Sequence, residues 1–509
     1  SLQMGSGQPW VVLSSPEAVH EAFVQRGSNF SARPMVPSMG ISSGGGQGFA
    51  ANKLTPELKA LRRMAFSQLF SPQQVSASEE RLHREALALT SHLGRANPSP
   101  WGNISELRPA LRQAVTNMAM GYALSLRVPF DTERTPLEAF PPMDDAQQGT
   151  AVELADVVGE IWSYLTDVNT TFLDLVAPDL SGGGAAGVHT PLTRLVARRN
   201  KLLLRLIAQR RRLRRSSGSR PIAVMDSSAA AEDADDMLDV MISAGLPDDD
   251  ILYVLIDMFV AGVNTVASTL EWALLLTAAE PREQSRARAD AVASPGGGRL
   301  ARAGEVPYVD ALLLEVLRLK QPLLLPREAT ADSEVSGFRV RKGTVVYANN
   351  YALTHGPSLW REPERFRPER FFKEEAALHP GRSTMAPGRE SSTAGVPGTD
   401  VRCPFTETSS TDSSSVGGGP STTATPDGKL TIRDQYKLIP FSVGQRSCPG
   451  ERLANSEMRV LLSTLLREMS WRPVIPWAGV DLRENYSLTL IPTVSQRLNF
   501  SRSPPYPDA

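Results

Sequence analysis

The sequence predicts a mainly α-helical fold, and three observations carry that expectation. Apolar residues recur at spacings of three and four from Leu54 to about Phe259, the period of helices with one buried face. Hydrophobic residues make up 41% of the 509-residue chain and charged residues 21%, which supplies a core and excludes wholesale disorder. Only two cysteines are present, Cys403 and Cys448, so no disulfide framework can replace that core.

The chain opens on a strand around Trp10 to Leu13. Ser14-Ser15-Pro16-Glu17 then reads as an N-cap with proline in the first turn, leading into a helix through about Val24. The N-terminus has neither a charged n-region nor an apolar h-region, so no signal peptide is expected. Position 1 is not Met, and the expectation is a trimmed or internal start. Helical periodicity continues through residues 82–93, 107–126, 152–176 and 191–213. Residues 194–220 hold eleven basic side chains alternating with Leu202, Leu203, Leu204, Leu206 and Ile207. A solvated helix face whose leucines reach the core is expected there, with a membrane-facing or partner-facing helix as the alternative. Residues 216–236 read as a polar linker. Gly/Ser-rich tracts fall at 42–48 and at about 381–428, and the longer one reads as a disordered surface insertion carrying Cys403 as an incidental thiol.

Lys plus Arg total 54 and Asp plus Glu 55, a formal charge of −1, so a general nucleic-acid binder is not expected. The six histidines include no HExxH and no pair three or four apart. A catalytic metal would have to arrive with a cofactor.

The sharpest chemical signal is PFSVGQRSCPGERLA, residues 440–454, a loop that gives way to a helical pattern from about Pro449. Gly444 and Gly450 allow the backbone to turn and approach a flat ligand, and Pro449 suits a first helical turn. Amides near that helix start would stabilise a Cys448 thiolate. Arg446 could pair with a ligand carboxylate. Phe441, Gly444, Arg446, Cys448 and Gly450 together make F-x-x-G-x-R-x-C-x-G, which resembles the haem-binding signature of the cytochromes P450.

Other landmarks follow in that family's order. Glu315 and Arg318 lie one helical turn apart among Leu312, Leu313, Leu314, Leu317 and Leu319, so a buried ion pair is expected. FRPERF supplies Arg370, which by the resemblance completes a structural Glu-Arg-Arg triad around the haem loop. Residues 251–276 form the longest apolar stretch, interrupted by Asp257, Asn264 and Glu271 at intervals of seven. With Ala261, Thr265 and Ser268 these make a small and polar stripe, which favours a buried helix facing a cofactor over a membrane span. Ala261, Gly262 and Thr265 match the family's oxygen-side pattern, in which the threonine organises proton delivery. Asn264 departs from it, standing where the family carries an acid, and an amide cannot relay a proton through its own ionisation. LKALRRMAFSQLFSP resembles the family's Trp-x-x-x-Arg helix, with Arg62 as a propionate partner and Leu58 in place of the Trp. Arg327 resembles the second propionate contact, ahead of a small-sheet hairpin.

The resemblance is closest in flavour to microsomal animal-type drug and steroid hydroxylases. It implies one mainly helical domain over 1–509 with a small β-rich lobe, a prism around a buried haem b, incomplete at its N-terminus. Cys448 would be the axial thiolate. The implied reaction inserts one oxygen atom from O2 into a small apolar organic substrate, with NADPH electrons delivered by a reductase, and membrane association in the full-length form at the cytosolic face of the endoplasmic reticulum. Lys59, Arg62, Arg63 and Arg452 are candidates for a reductase-docking face, a merely solvated set being as compatible. A haem-thiolate isomerase or dehydratase, a non-catalytic haem carrier and a non-functional fragment are the alternatives. Pocket-lining residues are expected near 35–53, 152–179 and 488–493.

Overall fold

Helix starts written into the sequence become the frame of the molecule. Ser15, Thr55 and Ser71 each accept the amide three residues on, ahead of a proline that opens the helix (Ala18, Leu58 and Gln74 respectively). Asp144 and Gln147 form a reciprocal capping box at the start of Asp145–Leu165. The computed structural model describes residues 2–4, 8–51, 53–95, 98–99, 102–131, 143–167, 174, 189–216, 236–294, 304–323, 325–372, 432–474, 479–486 and 489–502. The expected insertion at 381–428, Cys403 and nearly all of the expected linker lie outside the described residues.

The central helix, Asp248–Ala279, is the axis of the core. Asp248, Asp249 and Asp250 in its first turn complement the helix dipole. Leu107–Leu124, Thr190–Ser216, Pro307–Leu319 and Glu451–Glu468 pack around it, and Pro72–Leu93 covers the last of these. It is long and apolar enough to cross a membrane, yet most of it is buried inside the protein. That is the arrangement expected from its polar interruptions.

Strands form a smaller part. Gln8–Leu13 runs parallel to Val345–Ala348 in the four-stranded sheet Leu2–Met4, Gln8–Leu13, Val345–Ala348, Arg327–Glu328. Val345–Ala348 thus lies between the opening strand and the strand that carries Arg327. A second sheet joins Pro98–Ser99, Gly102–Glu106, Arg497–Arg502 and Met469–Pro473. Two hairpins, Ser333–Val335 with Phe338–Val340 and Glu484–Tyr486 with Leu490–Pro492, add two further strand pairs among the described residues.

The helix expected over 152–176 is continuous through Leu165, with Thr166 at its C-cap bonding the Trp162 carbonyl through both amide and hydroxyl; beyond Asp167 only Asp174 of the expected range lies among the described residues. The opening helix is regular only over Pro16–His20 and then widens through Glu21–Gln25. In the basic helix Thr190–Ser216, Leu202, Leu203 and Ile207 are buried as expected and Leu206 packs partly buried, whereas Leu204 is exposed because it lies on the outward face of the helix. Arg210 pairs with Asp236 and Asp239, and Arg211 with Asp248.

One carboxylate ties the frame together. Glu315 and Arg318 are fully buried on Pro307–Leu319, joined by a bidentate pair at 2.8 and 2.9 Å. Arg370 Nε donates to Glu315 Oε1 at 3.0 Å, and the Arg367 amide donates to the same oxygen at 2.8 Å. Arg318 also donates to the Thr354 carbonyl, and Arg370 to the carbonyls of Arg361 and Arg365. Trp360 lies under both guanidinium groups, 5.3 Å and 5.9 Å away. The segment 354–370 has little regular structure of its own, so these bonds hold it.

Replacing Glu315 by Ala leaves two buried cations without their counter-ion and should cost about 3–5 kcal/mol. The shift of the urea unfolding midpoint checks this, and an unchanged midpoint would mean that the tie is dispensable.

Candidate active site

Cys448 lies two residues before Gly450, the N-cap of Glu451–Glu468. Pro449 therefore precedes the helix and does not occupy its first turn, because the chain must still turn at Gly450 to free the cysteine. The loop is closed on itself: the Cys448 amide donates to the Phe441 carbonyl at 2.8 Å, and the Ser447 amide to the Gly444 carbonyl at 3.0 Å. Gly444 has φ +65°, and a Cβ there would sit 2.2 Å from the Phe23 carbonyl oxygen. A side chain at this position would clash with backbone that cannot move aside. Gly450 is different, since a Cβ there would meet nothing within 4 Å.

Burial pushes the Cys448 thiol up to about 11; the Gly450 amide opposes this, nearby Glu451 adds to it, and Arg62 lowers it. The residue nonetheless keeps accessible surface. A group that is desolvated and still accessible lines an internal space.

Four guanidinium groups surround that space. Arg62 is 7% exposed and donates to the Ser447 carbonyl at 2.5 Å, next to the cysteine. This removes it from the expected surface docking set, because Pro56–Met64 turns its Leu58 and Arg62 face inward. Arg446 donates to the carbonyls of Ser31 and Phe49 at 2.7 and 3.1 Å. Arg327 donates to the Val443 carbonyl at 2.5 Å and to the Ser442 hydroxyl at 3.1 Å, and it lies 3.9 Å from the Phe23 ring centroid. Arg33 was not among the candidates read from the sequence; it donates to the carbonyls of Ala50, Leu325 and Pro326. Its only local signal is its place before Pro34, and tertiary structure alone brings it here.

These charges act on one another. Burial lowers Arg327 to about 9, helped by Arg446 and Arg62, and lowers Arg446 to about 10, helped by Arg62. Arg33 is held well below the usual arginine range by burial and then by Arg327, Arg446 and Arg62. Among the described residues no carboxylate is bonded to Arg33 or Arg327, and Arg327 Nε is buried without a partner. A thiol and an anion-seeking arginine cluster beside one internal space fit a haem with two propionates.

The central helix supplies the opposite wall. In its middle turns Asp257, Val260, Ala261, Gly262 and Thr265 keep accessible surface, while Asn264 is buried. Asp257 accepts the amides of Phe49 and Ala50, whose carbonyls accept Arg446 and Arg33 in turn. The accessible stripe thus faces the arginine cluster. The Thr265 hydroxyl donates to the Ala261 carbonyl at 2.7 Å, which leaves its lone pairs as acceptors toward the open side.

Not all of the expected polar stripe faces that side. Glu271 is buried and pairs with Arg108 at 3.0 Å, whose other end donates to the Pro492 carbonyl at 2.7 Å. Intervals of seven align side chains only approximately over about four turns, and Arg108 captures the last acid. A separate cavity of about 120 Å³, lined by Leu124, Leu126, Leu206 and Leu238, shares no residue with this site.

The family model for cytochrome P450 matches residues 1–386 and 425–488, and the chain belongs to that family. It is an enzyme of the P450 monooxygenase class, in which haem is held by a cysteine thiolate. Cytochrome P450 76C1 of Arabidopsis thaliana is 25% identical over 505 residues, covering 96% of this chain and 82% of that one. Ferruginol synthase of Salvia miltiorrhiza is 23% identical over 476 residues, covering 91% and 79%. Cytochrome P450 78A11 of Oryza sativa subsp. japonica is 29% identical over 480 residues, covering 91% and 72%. A solved zebrafish cytochrome P450 with abiraterone has a TM-score of 0.64 at 21% identity, over 97% of this chain and 93% of that one. The sequence resembles animal-type hydroxylases most in flavour, whereas these similar sequences come from plants; the zebrafish structure shows the shared fold.

If the arginine cluster is built for propionates, haem whose two carboxylates are methyl esters should load at least about tenfold more weakly than haem, given the strength of charge-assisted hydrogen bonds. Equal loading in a Soret titration of the apoprotein would assign the arginines another purpose.

Proposed function

We propose that the protein is a haem-thiolate monooxygenase that inserts one atom of O2 into a small apolar organic substrate. Electrons come from NADPH through a reductase. The observation that carries this reading is the pairing of the desolvated Cys448 with the inward arginine cluster across from the open stripe of the central helix. Haem bound there supplies dioxygen activation, and a thiolate ligand favours O–O cleavage.

The chain's own residues divide the remaining work. Cys448 holds the iron as thiolate, and Phe441, Gly444 and Gly450 shape the loop that presents it. Arg33, Arg62, Arg327 and Arg446 hold the propionates. Val260, Ala261 and Gly262 offer an apolar wall to the substrate. Thr265 orders water with its free lone pairs, and Asn264 adds a neutral amide that cannot carry charge. Glu315, Arg318 and Arg370 lock the frame and touch no reacting atom.

Lys59 and Arg63 are exposed on the outer side of the helix that carries Arg62, and Arg452 follows Cys448 by one turn. Their charge supports a docking face for the reductase on the thiolate side. The same reading places the full-length form at the cytosolic face of the endoplasmic reticulum membrane, with one domain spanning 1–509 and an insertion at 381–428.

The dithionite-reduced protein under carbon monoxide should give the strongly red-shifted Soret band of a thiolate-ligated haem, and Cys448→His should abolish both that band and oxygenation. Oxygenation that survives the substitution would overturn the axial assignment. Asn264→Asp should raise the fraction of NADPH electrons recovered in product instead of released hydrogen peroxide. An unchanged ratio would mean that protons pass Thr265 by water alone.

A further inference from the structure

Away from the Cys448 side, the ends of four helices meet around the cavity of about 120 Å³. Leu124 closes Leu107–Leu124, and Ser125, at φ +55°, turns the chain so that Leu126 lines the space as well. Met143 stands just before Asp145–Leu165, Leu206 and Leu213 lie on Thr190–Ser216, and Leu238 lies on Met237–Ser243. Leu124, Leu126 and Leu238 are buried and Leu206 is partly buried, whereas Leu213 is 54% exposed and marks the mouth. Six apolar side chains around one space offer water no hydrogen bonds, and each lacks packing partners on its inner side.

We propose that this cavity is a binding site for a small neutral organic molecule, a single ring that carries one hydroxyl. Its size suits one ring, since an apolar protein cavity of about 150 Å³ takes benzene. Its polar lining suits no ion. Arg210, the charged residue of the lining, donates to Asp236 and Asp239 at 2.9 and 2.5 Å and to the Leu124 carbonyl at 3.1 Å. The Ser125 hydroxyl donates to the same Asp236 oxygen at 2.9 Å, and Arg214 holds Asp239 from its other side at 2.9 Å. An anion would have to displace two carboxylates from Arg210, and a cation would meet carboxylates that are already bonded. The rim is different. Gln209 is exposed one turn before Leu213, and Gln147 accepts the Asp144 amide with its Oε1, which leaves its amide nitrogen to donate. Amide groups at the mouth and leucines inside match a ring whose hydroxyl stays at the rim.

The site bridges two helices that both pack on the central one. Met143 and Gln147 stand at the start of Asp145–Leu165, and Leu206, Gln209 and Leu213 in the second half of Thr190–Ser216. A ligand there joins these helices at a place that shares no residue with the Cys448 side. The space exists only when all four helix ends are assembled, so occupancy stabilises the folded chain and raises its melting temperature.

Calorimetric titration of the haem-loaded protein tests this, with clotrimazole present at saturation to keep the probes off the iron side. Phenol, uncharged at about pH 7, should bind once per chain. Its Kd should be about two- to tenfold below that of benzene, the range of one net hydrogen bond, and at least about tenfold below that of benzoate. Phenol should also raise the melting temperature. Leu206→Phe fills the cavity and should weaken phenol and benzene at least about tenfold while the carbon monoxide band is unchanged. Gln209→Trp closes the mouth from an exposed position and should do the same, which keeps the test open if the first variant does not fold. The absence of saturable phenol binding would overturn the proposal, and so would undiminished binding in a folded variant of either kind. Benzoate bound as tightly as phenol would overturn the neutral ligand class, and benzene bound as tightly as phenol would overturn the role of the rim. None of these outcomes depends on the haem reading, which the carbon monoxide band judges separately.

Discussion

Four guanidinium groups held in a dry interior are the constraint on which the rest of this structure depends. Arg33, Arg62, Arg327 and Arg446 come from separate segments, and each is anchored by backbone carbonyls of segments that lack a continuous hydrogen-bond ladder. The carbonyls of Ser31, Phe49, Ala50, Val443 and Ser447 would otherwise be buried acceptors with few partners. The arginines therefore satisfy the loops, and the loops hold the arginines against mutual repulsion. The parallel pairing of Gln8–Leu13 with Val345–Ala348 serves the same end, because Val345–Ala348 pairs on its other edge with Arg327–Glu328 and so joins the opening strand to the one that carries Arg327.

The central helix distributes the remaining polar work along its length. Asp257 reaches the Ala50 amide, Thr265 turns its hydroxyl back to its own helix, and Glu271 passes through Arg108 to the Pro492 carbonyl. Trp272 Nε1 adds a bond to the Leu490 carbonyl, so the hairpin Glu484–Tyr486 with Leu490–Pro492 is fastened to the helix at two points. Two of the segments expected from the sequence to line the pocket, near 35–53 and 488–493, are thereby placed against one helix.

What could be read in the sequence divides along a physical line. Spacing along the chain fixes which residues share a face or a loop, so the F-x-x-G-x-R-x-C-x-G loop, the Glu315–Arg318 pair and the buried leucines of the basic helix were legible. Partner choice across the fold was not. Nothing local to Arg33 marks it as a member of the cluster, and nothing local to Asp257 distinguishes a residue that takes loop amides from one facing a cofactor. Arg62 could be read equally as a docking charge or an inward one, because a single arginine on a short amphipathic helix can point either way until its neighbours are placed.

Asn264 is the clearest departure from the family pattern, and the charge distribution along the central helix gives it a physical setting. Asp257 and Glu271 stand seven residues to either side, and burial raises the pKa of both. Seven residues of helix span about 10.5 Å. At that separation an additional carboxylate at position 264 would feel each neighbour by about 1.5 kcal/mol at an effective dielectric constant of about 20. It would also raise the pKa of both, loosening the Asp257 hold on the Phe49 and Ala50 amides and the Glu271 hold on Arg108. An amide at 264 keeps a donor and an acceptor beside Thr265 without adding that repulsion. An amide at this position thus leaves the two neighbouring anions undisturbed, and on the proposed function proton delivery falls to Thr265 and ordered water.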